Sequence, residues 1–325
     1  MENNIEDTLM KSRSSSACIK SGYKLYIGNF RKIFKSSWLV ALIYAVLCGI
    51  VATVCVIHIP RIIMQMMASG QITYQYATDY LGLITIVCVL VIIGGIVETA
   101  FYSCGMSLLR KHAAANAIPT PTSWFHIDIH ITWRTIKAVL CNLLITTVLL
   151  LIFSVILSFP LKHFMTGQSI YVIALTATML GVAITALLWL PLCFVSIKYI
   201  MCDDTRFWRL LGSGYKMGLR RYWFIFVVML VSGIIVCVAE YVLQQPAFII
   251  AMANSQANMG VINSDPLGMP SYIIPLTAIT FFVAGFIQAY IRLTAFFTAY
   301  YMYGSIDTSE AERKQFKETA LNQTN

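Results

Sequence analysis

Six long apolar runs constrain what this chain can fold into. Each holds about 20 residues or more, which is enough for a helix to cross ~30 Å of hydrocarbon. Hydrophobic residues make up 58% of the chain and charged residues 11%, whereas soluble proteins carry about 25% charged residues. The sequence therefore predicts an all-α, six-helix transmembrane bundle. The predicted spans are Trp38–His58, Tyr80–Leu109, Ile136–Leu157, Tyr171–Ile197, Tyr222–Leu243 and Tyr272–Tyr303.

Basic residues alternate between the two sides of this predicted bundle. Of the 23 Lys and Arg residues, 20 fall before the first span, in the second and fourth connections and in the tail, whereas two fall in the remaining connections. Because Lys and Arg accumulate in cytoplasmic segments, both termini are predicted to be cytoplasmic. The compact six-span layout favours a bacterial inner membrane.

The connections between the spans are too short to hold a separate soluble domain. The predicted organisation is therefore a cytoplasmic basic amphipathic segment over 1–37, a transmembrane domain over 38–304 and a cytoplasmic polar tail over 305–325. Each pair of spans forms a helical hairpin. The predicted hairpins cover about 38–109, 136–197 and 222–303.

Three prolines at equivalent places indicate that the hairpins are repeats. Pro60, Pro160 and Pro246 each follow an odd-numbered span and open a similar short stretch. Proline suits the first turn of a helix. Each odd span is therefore predicted to end at its proline and to be followed by a short interfacial helix on the outer side.

Two further pairs of similar segments support three hairpin repeats. Ser21–Lys24 before the first span reads Ser-Gly-Tyr-Lys, and the same four residues recur at Ser213–Lys216 before the fifth span. Gly95–Glu98 in the second span resembles Gly285–Gln288 in the sixth at a comparable depth. Hairpins with two crossings each share one orientation, so they would be related by rotation about the membrane normal.

The approach to the first span has a distinctive pattern. Tyr23-Lys24 is followed by Asn29-Phe30-Arg31-Lys32-Ile33-Phe34 and then by Trp38 at the start of the apolar helix. This pattern resembles uncharacterised multi-pass bacterial membrane proteins that are similar to the membrane domain of some glycerophosphodiester phosphodiesterases. The soluble catalytic domain of those enzymes has no counterpart here, so the resemblance implies a membrane scaffold without that activity.

Charged side chains within the spans are the main candidates for a site, because placing a charge in hydrocarbon costs about 2.5–3.5 kcal/mol on insertion scales. Glu98 and Arg292 lie at similar depth, and Gln288 shares a helix face with Arg292. One hypothesis is a cytoplasm-facing site in which Arg292 holds an anionic group with Glu98 as its gate or counter-ion. The alternative is an ion pair that fixes helix register. Glu240, near the outer end of its predicted span, is expected to reach the interface.

The segment Lys20–Trp38 interleaves basic and aromatic residues. This composition predicts an amphipathic helix in the cytoplasmic headgroup layer, where each basic residue contributes about 1 kcal/mol near anionic lipid. The residues expected to contact lipid headgroups are Lys24, Arg31, Lys32 and Lys35. Membrane lipids are therefore the expected partners, and nucleic acid is not.

A histidine pair is the one metal-like pattern in the sequence. His126 and His130 would share a helix face with Asp128 between them, as zinc ligands can. The alternating pattern around them favours an interfacial segment instead, so no cofactor is expected. Hydrolase, nucleotide-binding and paired-carboxylate motifs are missing from the chain, so it is not expected to be an enzyme.

Two functional hypotheses follow from these features. The first is a membrane protein that binds or transports a lipid-like or small amphipathic solute at Glu98, Gln288 and Arg292. The second is a non-catalytic scaffold or accessory subunit that organises a membrane protein partner or a homo-oligomer.

Overall fold

The computed structural model describes residues 9–69, 74–118, 128–164, 170–203, 205–262 and 272–324. All eight elements of these residues are helices. Their bounds are α1 Ser15–Gly28, α2 Phe30–Ser69, α3 Tyr74–Ala115, α4 Ile129–Phe164, α5 Ile170–Met201, α6 Phe207–Arg220, α7 Tyr222–Ile262 and α8 Ile273–Thr324.

Six of these helices are long and apolar enough to cross a membrane, namely α2, α3, α4, α5, α7 and α8. The prediction of an all-α, six-helix bundle is therefore confirmed, and the chain is a multi-pass membrane protein by the length and composition of its helices. The helices extend well beyond the predicted spans. For example, α7 continues 19 residues past Leu243, to Ile262.

The prediction that each odd span ends at its proline is wrong. Pro60, Pro160 and Pro246 lie inside α2, α4 and α7, which continue through them. Neighbouring helices and side chains satisfy the carbonyl that a proline frees, so transmembrane helices tolerate the residue. Parts of the predicted outer stretches, such as residues 165–169, lie outside the described residues.

The six long helices pack against one another in chain order. Each contacts the next one, and α8 returns to contact α2. The helix α8 also contacts α1, α3 and α5, so it is the central element of the bundle. We call the end that carries α1, α6 and the last turns of α8 the termini end. The opposite end, where α2 joins α3, α4 joins α5 and α7 joins α8, is the hairpin end.

The short helices α1 and α6 occupy matching positions. Each has 14 residues, and one residue separates each from the long helix that follows. Gly22 and Gly214 are the eighth residues of these helices, and both allow a close approach. An added Cβ would lie 2.7 Å from Thr298 Cα at Gly22 and 3.3 Å from a Val195 methyl at Gly214. These correspondences support the repeat, which stays a prediction.

The helix α1 runs antiparallel to the end of α8 instead of lying across the bundle. Arg13 N–H donates to Ser305 Oγ over 2.9 Å, and further along α1 the Tyr26 hydroxyl donates to the Tyr290 carbonyl over 2.9 Å. Cys18 is buried between these contacts, and burial raises the pKa of its thiol to about 11. Cys18 therefore stays protonated at neutral pH, as expected for a packing residue.

The polar tail is a direct continuation of α8. Its first turns are tied to the bundle, because Asp307 pairs with Lys198 and Glu310 accepts from Arg220 over 3.0 Å. The residues beyond these pairs in α8 are mostly exposed. The tail therefore begins as part of the packed termini end and continues away from it as a helix.

Packing is uneven along the bundle. The largest fully buried side chains, including Phe101, Phe194 and Tyr300, all lie on the termini side of the bundle. Towards the hairpin end the helices expose long apolar faces, such as Leu81–Ile96 of α3 and Val139–Phe159 of α4. An apolar face of this size is expected of surface that contacts lipid.

Candidate binding site

Two small residues let α2 and α8 approach closely. An added Cβ at Gly285 would lie 2.9 Å from Cys48 Cβ, and one at Gly49 would lie 3.0 Å from the Ala278 carbonyl oxygen. Small residues at such crossings are the usual means of close helix packing in membranes. This contact fixes α2 against α8 and leaves α3 and α7 on either side of α8.

An ionic cluster joins α3, α7 and α8. Arg292 Nε donates to Glu240 Oε1 over 2.6 Å, and Arg292 Nη1 donates to Glu98 Oε1 over 3.1 Å. The Tyr102 hydroxyl donates to the same Glu98 oxygen over 2.6 Å. Three helices therefore contribute two carboxylates, one guanidinium and one hydroxyl to a single cluster.

Glu98 and Arg292, which the sequence places at similar depth, are in contact. The expectation that Glu240 reaches the membrane interface is wrong, because its carboxylate pairs with Arg292. The reason is the length of α7. The predicted span ended at Leu243, whereas the helix runs to Ile262 and leaves Glu240 near its middle.

A cavity of about 430 Å³ lies beside the cluster, on its hairpin-end side. Its polar lining comes from Glu98, Gln244 and Gln288, and most of the remaining wall is apolar. Helices α2, α3 and α8 supply most of that wall. The residues are Tyr44, Leu47, Cys48, Val51, Ala52, Leu90, Val91, Gly94, Gly95, Phe281, Ala284 and Gly285.

The cavity lies between α3 and α7, which pack on α8 and not closely on each other within the described residues. Val91, Gly95 and Gln244 are exposed, so the cavity communicates with the outer surface of the bundle. No described atom lies within 4 Å of an added Cβ at Gly94 or Gly95. The glycine pair therefore leaves open space along the α3 wall.

Aromatic side chains of α3 and α8 pack next to the ionic cluster. Tyr102 stacks on Phe296 with ring centroids 4.5 Å apart, and Phe101 meets Tyr290 edge to face at 5.3 Å. The sequence predicted a site that faces the cytoplasm, on the side of the termini. The lining residues run from Glu98 towards the hairpin end, and the side of the membrane that the site faces stays a prediction.

The predicted site residue Gln288 reaches the cavity but is not part of the ionic cluster described above. Tyr44, Tyr102, Glu240 and Gln244 were missed as site residues. Polar residues four positions apart within a span would have identified most of them, since such residues share a helix face. Three such polar pairs meet here, Glu98 with Tyr102, Glu240 with Gln244 and Gln288 with Arg292.

The predicted headgroup residues lie on α1 and at the start of α2. Lys24, Arg31 and Lys35 are exposed. Lys32 differs, because its Nζ donates to the Ile118 carbonyl over 2.7 Å and so ties α2 to the end of the α3 segment. Lipid contact by these residues stays a prediction.

One residue of the metal-like pattern, Asp128, has a structural role in the described part of the chain. His126 lies outside the described residues. Asp128 accepts the backbone N–H of His130 over 3.1 Å and that of Ile131 over 3.3 Å, so it caps the start of α4. Among the described residues no group of three His, Cys, Asp or Glu is placed to hold a metal ion.

Comparison of the chain with protein-family models, with curated proteins and with solved structures found no match. The resemblance to the membrane domain of glycerophosphodiester phosphodiesterases therefore stays a prediction. Inferences about function depend on the geometry of the cavity and the cluster.

Proposed function

We propose that this membrane protein binds an amphipathic, lipid-like molecule in the cavity between α3 and α7 and takes it up sideways from the bilayer. The observation that carries the proposal is a mainly apolar cavity that ends at the ionic cluster of Glu98, Glu240 and Arg292. An amphipathic molecule matches this arrangement. Its hydrocarbon chain would contact the apolar walls, and its headgroup would lie at the polar end of the cavity.

The size of the cavity supports this proposal. A volume of about 430 Å³ falls within the range of roughly 300–1,000 Å³ that is usual for small-molecule sites. Such sites combine apolar walls with a few polar groups that orient the ligand. The exposed residues Val91 and Gly95 give the cavity a lateral opening at the level where α3 presents its apolar face.

The two carboxylates also explain why a polar site is tolerated here. Ionisable residues inside a membrane protein face the bundle interior or a cavity and pair with one another. Glu98 and Glu240 both pair with Arg292. The ion-pair network stabilises the arrangement of α3, α7 and α8, and the cavity beside it is the part that we assign to ligand binding.

A photoactivatable probe tests this proposal. The probe is a long-chain alcohol with a diazirine in its chain and an alkyne tag, added to the protein in mild detergent and mapped by peptide mass spectrometry after illumination. We expect labels in Leu90–Glu98 of α3 and Tyr44–Ala52 of α2, the segments that line the cavity. Labelling that is equally strong along the exposed Val139–Phe159 face of α4 would contradict the proposal and favour the scaffold hypothesis.

We also propose that the membrane is a bacterial inner membrane and that the termini end is cytoplasmic. This orientation follows from the 20 basic residues in the termini-end segments against two at the hairpin end. Single cysteines at Ser14 and Thr308, in a chain without other cysteines, test it. A membrane-impermeant thiol reagent should label neither site in intact cells and should label both after permeabilisation. Labelling in intact cells would reverse the orientation.

A further inference from the structure

The ionic cluster carries an unbalanced charge. Glu98 and Glu240 both accept from the one guanidinium of Arg292, so the ionised cluster has a formal charge of −1. The contribution of Tyr102 is a neutral hydroxyl that donates to Glu98. An uncompensated charge within a membrane protein is unfavourable, and a bound cation would balance this one.

The negative side of the cluster borders the cavity. Glu98 is among the lining residues, whereas Arg292 and Glu240 are not. A headgroup at this end of the cavity therefore meets a carboxylate before it meets the guanidinium. An anionic headgroup would be repelled by Glu98 and would find Arg292 already engaged by two carboxylates.

The other residues around this end also suit a cation. Tyr44 supplies an aromatic ring to the wall, and aromatic rings attract organic cations, most of all quaternary ammonium groups. Gln244 and Gln288 supply amide oxygens that can accept hydrogen bonds from an ammonium group. No Lys or Arg is among the described residues that line the cavity.

We infer that the amphipathic ligand carries a positively charged headgroup, an alkyl amine or a quaternary ammonium. This inference rests on the proposed function and reverses the expectation that Arg292 holds an anionic group. The hydrocarbon chain lies along α2, α3 and α8, and the cationic group lies against Glu98. Binding brings the net charge of the cluster and its ligand to zero.

Competition with the photoactivatable alcohol tests the headgroup. The competitors are tetradecyltrimethylammonium, tetradecanol and tetradecyl sulfate, which share one chain length and are added at equal mole fraction in detergent micelles. We expect the ammonium compound to halve the labelling of Leu90–Glu98 at a concentration about tenfold below that of the sulfate, since like charges in a desolvated site repel strongly. The alcohol should fall between them.

Two variants make the result specific to the cluster. Glu98→Gln keeps the shape and the acceptor oxygen but removes the charge, so the ammonium and the alcohol should compete equally well. Glu312→Gln makes the same change at an exposed position on the tail and should keep the preference. A sulfate that competes as well as the ammonium, or a preference that survives in Glu98→Gln, would overturn the inference.

A further variant distinguishes a wrong headgroup from a wrong binding site. The variant Gly95→Phe fills the α3 side of the cavity without changing its charge. If cavity labelling is lost in Gly95→Phe while the sulfate competes best, the cavity binds amphiphiles and only the headgroup is wrong. If Gly95→Phe is labelled like the wild type by every probe, the proposed binding site itself is wrong.

Discussion

Replacing Arg292 by methionine should destabilise the folded protein by about 1–3 kcal/mol, less than the roughly 3–5 kcal/mol lost when a fully buried ion pair is broken, because the Arg292 side chain is 37% exposed. Glu98 and Glu240 would then share the interface of α3, α7 and α8 without a cation. The repulsion between the two carboxylates would push the three helices apart. The melting temperature in detergent and the monodisperse fraction in gel filtration measure the loss.

A triple variant separates charge from packing. Arg292→Met combined with Glu98→Gln and Glu240→Gln removes all three charges and keeps side chains of similar size, and replacing a whole buried ion cluster is often neutral. We expect this triple variant to recover most of the stability that Arg292→Met loses. A single variant as stable as the wild type, or a triple variant no better than the single one, would show that the cluster does not link the three helices.

A buried arginine elsewhere in the bundle, Arg134, has a purely structural role. Arg134 is buried and donates to the carbonyl oxygens of Tyr199 and Cys202 over 2.5 Å and of Asp203 over 2.8 Å. These are carbonyls at the end of α5, where a helix leaves its acceptors unsatisfied. Arg134 therefore stabilises a helix end, whereas the Arg292 cluster borders a cavity.

The number of spans could be predicted from the sequence because apolar length is a local property. The ends of the helices could not, because a long helix can leave the hydrocarbon and continue where the sequence turns polar. The tail shows this, since Asp307 and Glu310 are polar yet belong to α8 and pair with neighbouring helices. The error in the position of Glu240 has the same origin.

The contact between Glu98 and Arg292 was predictable because a costly charge in a span requires a partner. The participation of Glu240 in the cluster was not predictable, because the predicted fifth span was too short and placed Glu240 near the end of the span. The cavity could not be predicted at all. It exists because α3 and α7 both pack on α8 but not closely on each other within the described residues. The distance between two neighbouring helices cannot be read from a single sequence. The sequence did single out Gly95, Glu98, Gly285 and Gln288, which all line the same cavity.

Filling the cavity at Gly95 should weaken ligand binding by roughly tenfold or more and leave the fold intact. No described atom lies within 4 Å of an added Cβ at Gly95, so the ring of Gly95→Phe has open space to enter, and that space is the cavity. A ligand that must share it would meet overpacking of about 1–3 kcal/mol, which corresponds to roughly tenfold or more in affinity.

Gly82→Phe is the matched control. Gly82 lies on the same helix, is exposed, and likewise has no described atom within 4 Å of an added Cβ. It is outside the residues that line the cavity. The two variants therefore add the same ring to α3 at an exposed glycine, and they differ in whether the ring enters the cavity.

The decisive measurement is the amount of the photoactivatable alcohol attached to Leu90–Glu98 and Tyr44–Ala52 in the wild type, in Gly95→Phe and in Gly82→Phe at equal protein and probe concentration. We expect wild-type labelling in Gly82→Phe and a loss of about tenfold or more in Gly95→Phe, with both variants monodisperse. Equal labelling of all three proteins would contradict a ligand site between α3 and α7.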